Sequence, residues 1–420
     1  MGNLGFRIAG SYLSYQTQNV FLDSEGREEN RKSFEQKSAK KIREEFQSLR
    51  GPIMKLGQTL SMQSHLLSDD LVQELTELQM HAPPMHPTLM RTQFKKSLGK
   101  YPEEIFSKFD INPFAAASLG QVHYAVTNEG DEVAVKIQYP AIRQAIKNDF
   151  RLLRSVIYPI RIAKLVSGKM LQEIESGILK ETDYLNEAKN IDTFHQGLKD
   201  LDFVSVPRVF SDYSSDKVIT MSLMRGDFLE EWLEKNQSQE KRNHLGTRLF
   251  ELFTYQFLYK KFVHADPHPG NYLYDDEGNI TLIDFGCVKY MSDKIVNFMK
   301  AMIKRTWLHD EDEFINLMQT IFGKKTDPNN PKDRELMNSF IEYNKIILPM
   351  EGQEQEVDFG TPKLFHKMGG IWNDSLRRKL PDPEFFFLCR AELGLFNVLY
   401  KLGAKLKTTE IWDRIKQQYD

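Results

Sequence analysis

The stretch "VHADPHPGNYLYDDEGNITLIDFGCVKY", Val263–Tyr290, decides the fold of this chain. Asp266 lies in a loop whose backbone is restricted by the two prolines that follow it. The apolar residues between Asn271 and Asp284 predict a hairpin that brings these two side chains to adjacent strand ends. Carboxylates, together with substrate phosphates, are the usual ligands of Mg²⁺ in proteins. We therefore predict that Asn271 and Asp284 hold a metal ion on a phosphate-bearing substrate.

The spacing of these residues resembles the catalytic segment of protein kinases. His264, Asp266 and Asn271 fit the pattern His-x-Asp-x₄-Asn, and Asp284 begins an Asp-Phe-Gly sequence. In protein kinases the first aspartate orients the attacking hydroxyl, while the asparagine and the later aspartate hold Mg²⁺ on the phosphates. The resemblance implies that Asp266 is the catalytic base or positions a water, and that His264 braces the loop.

The two histidines of this stretch leave a second interpretation open. His264, Asp266 and His268 could bind a transition metal, because histidine and aspartate are common ligands of such ions. No second cluster of histidine or cysteine supplies the remaining ligands, which favours the magnesium interpretation. Cys287, beside the Asp-Phe-Gly sequence, is expected to be a small core residue.

A lysine that anchors phosphates is predicted upstream of the catalytic segment. The alternation in "EVAVKIQYP" places Lys136 in a β-strand, where it matches the lysine of the kinase Val-Ala-Ile-Lys motif. Lys136 needs a carboxylate to fix it over the phosphates, and Glu187 in the helical segment "LKETDYLNEAKN" is the best candidate. If the two are paired and buried, removal of either should cost about 3–5 kcal/mol, because a buried charge then loses its partner.

The segment before Lys136 departs from the kinase pattern. Alanines replace the glycines that wrap the phosphates, and alanine tolerates positive φ poorly, so only Gly120 remains as a flexible point. The predicted nucleotide contacts are a loop formed by Ala115, Ala116, Ala117 and Ser118, and the backbone of an inter-lobe linker at Met221, Ser222 and Met224. After Asp284 the chain soon enters a helix at Ser292, so the platform that binds a peptide substrate is missing.

The order of the predicted elements indicates the fold class. Helical spacing gives way to strand alternation and then returns, with the helical segments Gln144–Leu165 and Met170–Gly197 inserted among the strands. We predict an α+β fold, a bilobal protein kinase-like fold with a small antiparallel-sheet N-lobe and a helical C-lobe. The predicted domains are a helical extension at 1–107, the N-lobe with its helical insertion at 108–225, and the C-lobe at 226–420. The polar stretch Glu351–Thr361 is expected to be a loop.

The composition excludes several classes of protein. A net charge of −3 gives no electrostatic reason to expect nucleic acid as a partner. Two cysteines cannot form a disulfide framework and suggest a reducing, cytoplasmic location. No uncharged apolar run approaches the roughly 20 residues of a membrane span, and the N-terminus lacks the apolar core of a signal peptide. Phe385–Leu406 is interrupted by charges and predicts a buried helix, whereas the weakly amphipathic Leu4–Tyr15 leaves peripheral membrane contact open.

Taken together, the motifs resemble the UbiB/AarF family of atypical kinases, also called the coenzyme Q8-type kinase-like family. The resemblance is carried by "KLGQ", "AAAS", "VAVKIQYP", "ETD" followed by Glu187, "HADPHPGN" and "DFG", and a later "FLCRAELG" that contains Arg390 and Gly394 also fits. The resemblance implies that the extension, with Lys55 and Gln58 of "KLGQ", folds over the active site. It also implies that Lys55 pairs with Glu181, the first acid of the Glu-x-Asp motif that ends at Asp183.

Three functions are compatible with these residues. The family resemblance implies an atypical kinase or ATPase that uses ATP (or ADP) and Mg²⁺ and acts on, or is regulated by, a lipid or prenyl-quinone precursor in ubiquinone metabolism. "HADPHPGN" also resembles the catalytic loop of aminoglycoside and choline kinases, so a phosphotransferase for a small polar metabolite is an alternative. A nucleotide-sensing scaffold without turnover is the third hypothesis, although the intact lysine and metal-ligand set argues against it.

Overall fold

The computed structural model describes residues 85–419 except 118, 158–167, 267, 305, 324–325, 348–355, 363 and 365–380. The described helices are α1 Pro87–Leu98, α2 Ile142–Ile157, α3 Gly168–Glu181, α4 Tyr184–Gly197, α5 Leu229–Glu234, α6 Gln239–Leu258, α7 Asp293–Lys304, α8 Glu311–Phe322, α9 Pro331–Ile347, α10 Pro383–Leu402 and α11 Thr408–Tyr419. The described strands are β1 Lys108–Phe109, β2 Ala115–Ala117, β3 Gly120–Val126, β4 Glu132–Gln138, β5 Val204–Ser205, β6 Val218–Ser222, β7 Phe262–His264, β8 Tyr272–Tyr274, β9 Ile280–Leu282, β10 Val288–Tyr290, β11 Val357–Asp358 and β12 Lys405–Leu406.

The described residues form two compact units. The first contains the described residues up to Ala188 together with Val209–Leu223, and the second contains Lys189–Arg208 and the residues from Met224 onward. The mixture of helices with antiparallel strands confirms the predicted α+β class. Most of the predicted helical extension lies outside the described residues, and the boundaries of the three predicted domains stay predictions.

A five-stranded antiparallel sheet is the framework of the first unit. Its strands follow the order β1-β3-β4-β6, and β2 pairs with the other end of β3. The register sets Lys136 of β4 opposite Val122 on one side and Ile219 on the other. Because side chains alternate along a strand, Val133, Val135 and Ile137 project to the opposite face from Lys136. That apolar face packs against α1 to form the core of this unit.

The first helix, α1, covers the apolar face of this sheet. It begins with Pro87 at its first position, where the missing N–H costs nothing, and ends before Gly99, which has φ of +80°. Its fully buried residues Met90 and Phe94 join the core beneath β4.

The predicted helical segment Met170–Gly197 is two helices. α3 ends at Glu181 and α4 begins at Tyr184. The break follows from Asp183, because its carboxylate accepts hydrogen bonds from the backbone N–H groups of Leu185 and Asn186 and so starts a new helix. Helical periodicity continues through such a break, which is why the sequence pattern alone did not reveal it.

The second unit contains the two small sheets that carry the segment Val263–Tyr290. The strand β7 pairs antiparallel with β10, and β9 lies between β5, which is parallel to it, and β8, which is antiparallel. The predicted hairpin is confirmed, because Tyr272 pairs with Leu282 and Tyr274 pairs with Ile280. Asn271 and Asp284 therefore flank one pair of strand ends.

The helices α6 and α10 pack against each other behind these sheets. The predicted buried helix within Phe385–Leu406 is confirmed as α10, which has Asp382 as its N-cap and ends before Gly403 in the left-handed region. Gly246 of α6 makes a close packing contact, since a Cβ there would lie 2.9 Å from the Cβ of Ala404. The predicted loop Glu351–Thr361 contains a short strand, β11, which pairs with β12. Within the part of the chain that the structure describes, no helix combines the length and apolarity required to cross a bilayer.

Candidate active site

The predicted phosphate-anchoring lysine lies in a buried ion pair in the first unit. The Nζ atom of Lys136 lies 2.7 Å from Oε1 of Glu187, and the two side chains are 7% and 1% exposed. Lys136 comes from β4 and Glu187 from the first turn of α4, so the pair joins the sheet to this helix. The Lys136 Nζ atom also lies 5.3 Å from the centroid of the Tyr184 ring. The pairing that the sequence predicted is therefore formed.

The turn between α3 and α4 is tied to the same strand. The side chain of Gln138 in β4 donates a hydrogen bond to the carbonyl oxygen of Thr182. Glu181 ends α3, and Asp183 caps the N-terminus of α4. The family resemblance implies that Lys55 pairs with Glu181, but Lys55 and Gln58 lie outside the described residues. The proposed Lys55–Glu181 pair stays a prediction.

The alanine-rich segment is a strand rather than a loop. Ala115, Ala116 and Ala117 form β2 and pair with β3, with Ala115 opposite Val122. Extended backbone is what alanine adopts readily, and the ladder satisfies its N–H and C=O groups. Ser118 lies outside the described residues. The alanines lie on a strand, and their contacts with a nucleotide stay a prediction.

Gly120 was expected to be the flexible point of this segment, and that expectation is wrong. It is buried in β3 opposite Gln138. A Cβ at Gly120 would lie 2.2 Å from the carbonyl oxygen of Ile137 and 3.0 Å from the hydroxyl of Tyr184. The close approach of the β4 backbone is the reason for a glycine here.

The residues predicted to contact adenine lie at the end of β6 and just beyond it. Met221 is buried and pairs with Ala134, whereas Ser222 is half-buried and pairs with Val133. The following residue, Leu223, uses its N–H to bond the carbonyl oxygen of Glu132. Met224 is the first residue of this segment assigned to the second unit. The adenine contacts stay a prediction.

Asp266, the predicted catalytic aspartate, is contacted from two sides in the second unit. The side-chain NH₂ of Asn271 donates to the Asp266 carbonyl oxygen at 3.0 Å and to its Oδ2 atom at 3.1 Å. The Nη2 atom of Arg390, from α10, lies 3.6 Å from Oδ1 of Asp266, and these two side chains are 11% and 6% exposed. Arg390 belongs to a motif that the sequence reading noted, but its contact with Asp266 was not foreseen.

The turn that begins with Asp284 is fixed through its backbone. His264 Nε2 lies 2.6 Å from the Asp284 carbonyl oxygen, which can only accept, so Nε2 carries the proton and donates. The N–H of Gly286 donates to Oδ1 of Asp284, and the N–H of Ile283 donates to the Asn271 carbonyl oxygen. The hydrogen bond from His264 to the Asp284 carbonyl oxygen is the contact through which His264 would brace the loop.

The alternative transition-metal site is not formed. Within the described ranges, no group of three or more histidine, cysteine, aspartate or glutamate side chains could hold a metal ion. His264, Asp266 and His268 are all described, and the Nε2 atom of His264 is used by Asp284. His268 instead accepts a hydrogen bond from the N–H of Gly270 through Nδ1.

The side chains of Asn271 and Asp284 carry the oxygen atoms that a hard cation prefers. Because the Asn271 NH₂ group is directed to Asp266, its amide oxygen is the atom left to coordinate. An ionised carboxylate offers about four acceptor positions, and the Gly286 N–H donates to one oxygen of the Asp284 carboxylate. Burial raises the pKa of Tyr272, and the negative charge of Asp266 adds to that rise. An oxygen-only donor set of this kind suits Mg²⁺.

Comparison with known proteins identifies the relatives of this chain. The ABC1 atypical kinase-like domain matches residues 77–318. The chain is 27% identical to the "Probable serine/threonine-protein kinase abkA" of Dictyostelium discoideum over 403 residues, which cover 91% of this chain and 71% of that protein. It is 28% identical to the "Atypical kinase COQ8, mitochondrial" of Saccharomyces cerevisiae over 383 residues, which cover 89% of this chain and 75% of that protein.

Other relatives are longer or more distant. The "Protein ACTIVITY OF BC1 COMPLEX KINASE 7, chloroplastic" of Arabidopsis thaliana is 33% identical over 263 residues, which cover 62% of this chain and 38% of that protein. A solved structure of Rv3197 with erythromycin, from Mycobacterium tuberculosis, aligns with a TM-score of 0.62 and 24% identity and covers 92% of this chain and 98% of that one. At that identity the alignment shows the shared fold alone.

Proposed function

This chain belongs to the ABC1 atypical kinase-like family, and from that premise we propose that it is a nucleotide-dependent atypical kinase or ATPase that uses Mg²⁺ with ATP (or ADP). One observation carries the proposal. The side chain of Asn271 donates a hydrogen bond to the carboxylate of Asp266. The nearby turn at Asp284 is held by a hydrogen bond from His264 to the Asp284 carbonyl oxygen. This arrangement supports a phosphoryl-transfer role for Asp266, Asn271 and Asp284.

Each residue has a chemical role in this proposal. Asp266 accepts the proton of an attacking hydroxyl or orients a water, and Asn271 holds its carboxylate in place. Asn271 and Asp284 would hold Mg²⁺, which neutralises negative charge on the phosphates when it is bound. Lys136 would contact the phosphates, and Glu187 keeps its ammonium group in a fixed position.

We propose a non-peptide acceptor or regulator. Only five residues separate the turn at Gly286 from Ser292, where the next helix follows within one residue, so this stretch leaves no room for a long peptide-binding segment. The resemblance to the UbiB/AarF family favours a lipid or prenyl-quinone precursor and a role in ubiquinone metabolism. In this proposal the protein contacts the membrane peripherally and has no nucleic-acid partner.

A nucleotide-binding scaffold without turnover is a second candidate, and one observation favours it. Arg390 and Asn271 both contact the carboxylate of Asp266. A base that is engaged on both of its oxygen atoms has less freedom to accept a proton from a substrate. The two candidates share nucleotide binding and differ in turnover.

The deciding experiment combines thermal shift with phosphate release. We expect Mg-ATP to raise the melting temperature of the wild type, and anionic liposomes to raise the rate of phosphate release. Asp284→Asn should remove the magnesium-dependent part of the thermal shift. Asp276→Asn makes the same chemical change at an exposed site of the same hairpin and should behave like the wild type. The absence of any magnesium-dependent nucleotide shift would exclude the kinase or ATPase, and the absence of any nucleotide shift at all would also exclude the scaffold. Binding without turnover on any lipid or on choline would favour the scaffold.

A further inference from the structure

The helix α4 carries a buried polar residue that the proposed function has not used. Asn190 lies one helical turn after Glu187 and is 5% exposed. Its side-chain NH₂ donates a hydrogen bond of 2.9 Å to the carbonyl oxygen of Phe285, 95 residues away in the chain. Burying an amide without a hydrogen-bond partner costs free energy. This hydrogen bond therefore holds both the Asn190 side chain and the Phe285 carbonyl group in place.

The carbonyl that Asn190 binds belongs to a peptide unit with a second constraint. The same planar unit contains the N–H of Gly286, which donates to Oδ1 of Asp284 at 2.9 Å. In a trans peptide the C=O and N–H point in opposite directions. Holding the Phe285 carbonyl therefore directs the Gly286 N–H at the Asp284 carboxylate, and a flip of this peptide would break both hydrogen bonds at once.

Two further contacts hold the turn in the same conformation. On the preceding peptide, the Asp284 carbonyl accepts from His264 Nε2. The ring of Phe285 is fully buried and meets the ring of Phe194, one turn beyond Asn190 on α4, edge to face at 5.2 Å. Asn190 and Phe194 thus bind the backbone and the side chain of one residue, immediately after the proposed metal ligand.

We propose that Asn190 is a positioning residue for the metal site: by fixing the Phe285–Gly286 peptide, it orients the Asp284 carboxylate for Mg²⁺ on a nucleotide. The proposal rests on the proposed function, because Asp284 is a metal ligand only if that function holds. Asn190 itself need not touch metal or nucleotide. A partner that orients a metal ligand typically contributes 10- to 100-fold to metal affinity.

The direct test measures metal affinity without turnover. Mn²⁺ would replace Mg²⁺ as a spectroscopic probe, and free Mn²⁺ would be titrated by electron paramagnetic resonance in the presence of a non-hydrolysable ATP analogue. Asn190→Leu keeps the approximate size of the side chain and removes the donor. We expect the Mn²⁺ affinity of this variant to fall about 10- to 100-fold, while metal-free nucleotide affinity changes less than about twofold.

Matched variants separate positioning from damage to the fold. Asn186→Leu makes the same chemical change one turn earlier on α4 and should retain wild-type Mn²⁺ affinity. Asn190→Asp keeps the shape of asparagine but faces the Phe285 carbonyl with a carboxylate, so it should lose at least as much affinity as Asn190→Leu. If Asn190→Leu fails to fold, Asn190→Asp decides the question by the same titration.

A second measurement distinguishes failure of this proposal from failure of the proposed function. Hydrogen exchange of the Gly286 amide reports its bond to Asp284 without any ligand, and Asn190→Leu should accelerate it about tenfold or more. Unchanged exchange, or Mn²⁺ affinity within twofold of the wild type in a folded variant, would overturn the positioning role. A wild type that binds no metal–nucleotide complex would refute the proposed function, and with it the metal role of Asn190, even if exchange showed that Asn190 holds the turn.

Discussion

Replacement of Glu187 by leucine should destabilise the first unit far more than removal of any exposed ion pair. The Lys136–Glu187 pair is separated by 2.7 Å, and the side chains are 7% and 1% exposed, so water screens neither charge. Glu187→Leu leaves a buried ammonium group without its carboxylate, which costs about 3–5 kcal/mol. Lys136→Met together with Glu187→Leu removes both charges and fills the space with apolar groups, so we expect the double variant to recover most of that loss.

The assay must report on the first unit alone. All four tryptophans, at positions 232, 307, 372 and 412, lie outside the segments assigned to that unit, so intrinsic tryptophan fluorescence would follow the wrong part of the chain. Native-state hydrogen exchange at the amides of β4 gives the local free energy of opening directly. Glu103→Gln is the control, because the Arg91–Glu103 pair of the same unit is exposed, and its removal should cost less than about 1 kcal/mol.

Two results would contradict this reasoning. If Glu187→Leu changes the β4 opening free energy by no more than the Glu103→Gln control, the pair is screened despite its burial. If the double variant is as unstable as Glu187→Leu, the cost comes from packing and not from an uncompensated charge. Metal-free nucleotide affinity should fall in both variants, since both lose the ordered Lys136 ammonium group.

Three further predictions concern other parts of the structure. Arg390→Met should misplace Asp266 and lower turnover by about 10²-fold, while the nucleotide affinity measured by calorimetry changes less than threefold. Equal losses of turnover and nucleotide affinity would contradict a role of Arg390 that is confined to Asp266. Gly120→Ala should cost about 1–3 kcal/mol in denaturant unfolding, because its Cβ would meet the Ile137 carbonyl oxygen; a neutral result would show that β4 can shift. Burial raises the pKa of Glu392 from 4.5 to about 7, so its contribution to stability is complete below about pH 4.5 and is lost as the pH rises through 7. Glu392→Gln should remove that part of the pH dependence, up to about 3 kcal/mol by melting temperature against pH, and an unchanged profile would contradict it.

Much of the fold and the site was readable from local patterns. The hairpin was predicted from the alternation between Asn271 and Asp284, and Lys136 from the alternation of its strand. These predictions held because side-chain periodicity is set by the geometry of the element itself. The pairing of Lys136 with Glu187 was also predicted, since a lysine that anchors phosphates needs a carboxylate to hold it in place.

Errors arose where a second segment of chain decides the local structure. The alanine segment was taken for a loop because its own residues carry no signal of the β3 partner that makes it a strand. Gly120 was expected to be a flexible point. Glycine is needed there because the β4 backbone leaves no room for a Cβ atom. The break at Asp183 was missed because a capping residue interrupts the helix without changing its apolar period.

The residue types and spacing of the predicted site came from the sequence: an expected metal-ligand pair at Asn271 and Asp284, an expected base at Asp266, and a lysine on a strand. The tertiary structure alone decided how these groups are oriented. Arg390 reaches Asp266 from α10, and Asn190 reaches the Phe285 carbonyl across 95 residues of chain. Residue types and their spacing can be read from the linear sequence because the chemistry requires them. Orientation depends on which distant groups pack together, and no local pattern records that choice.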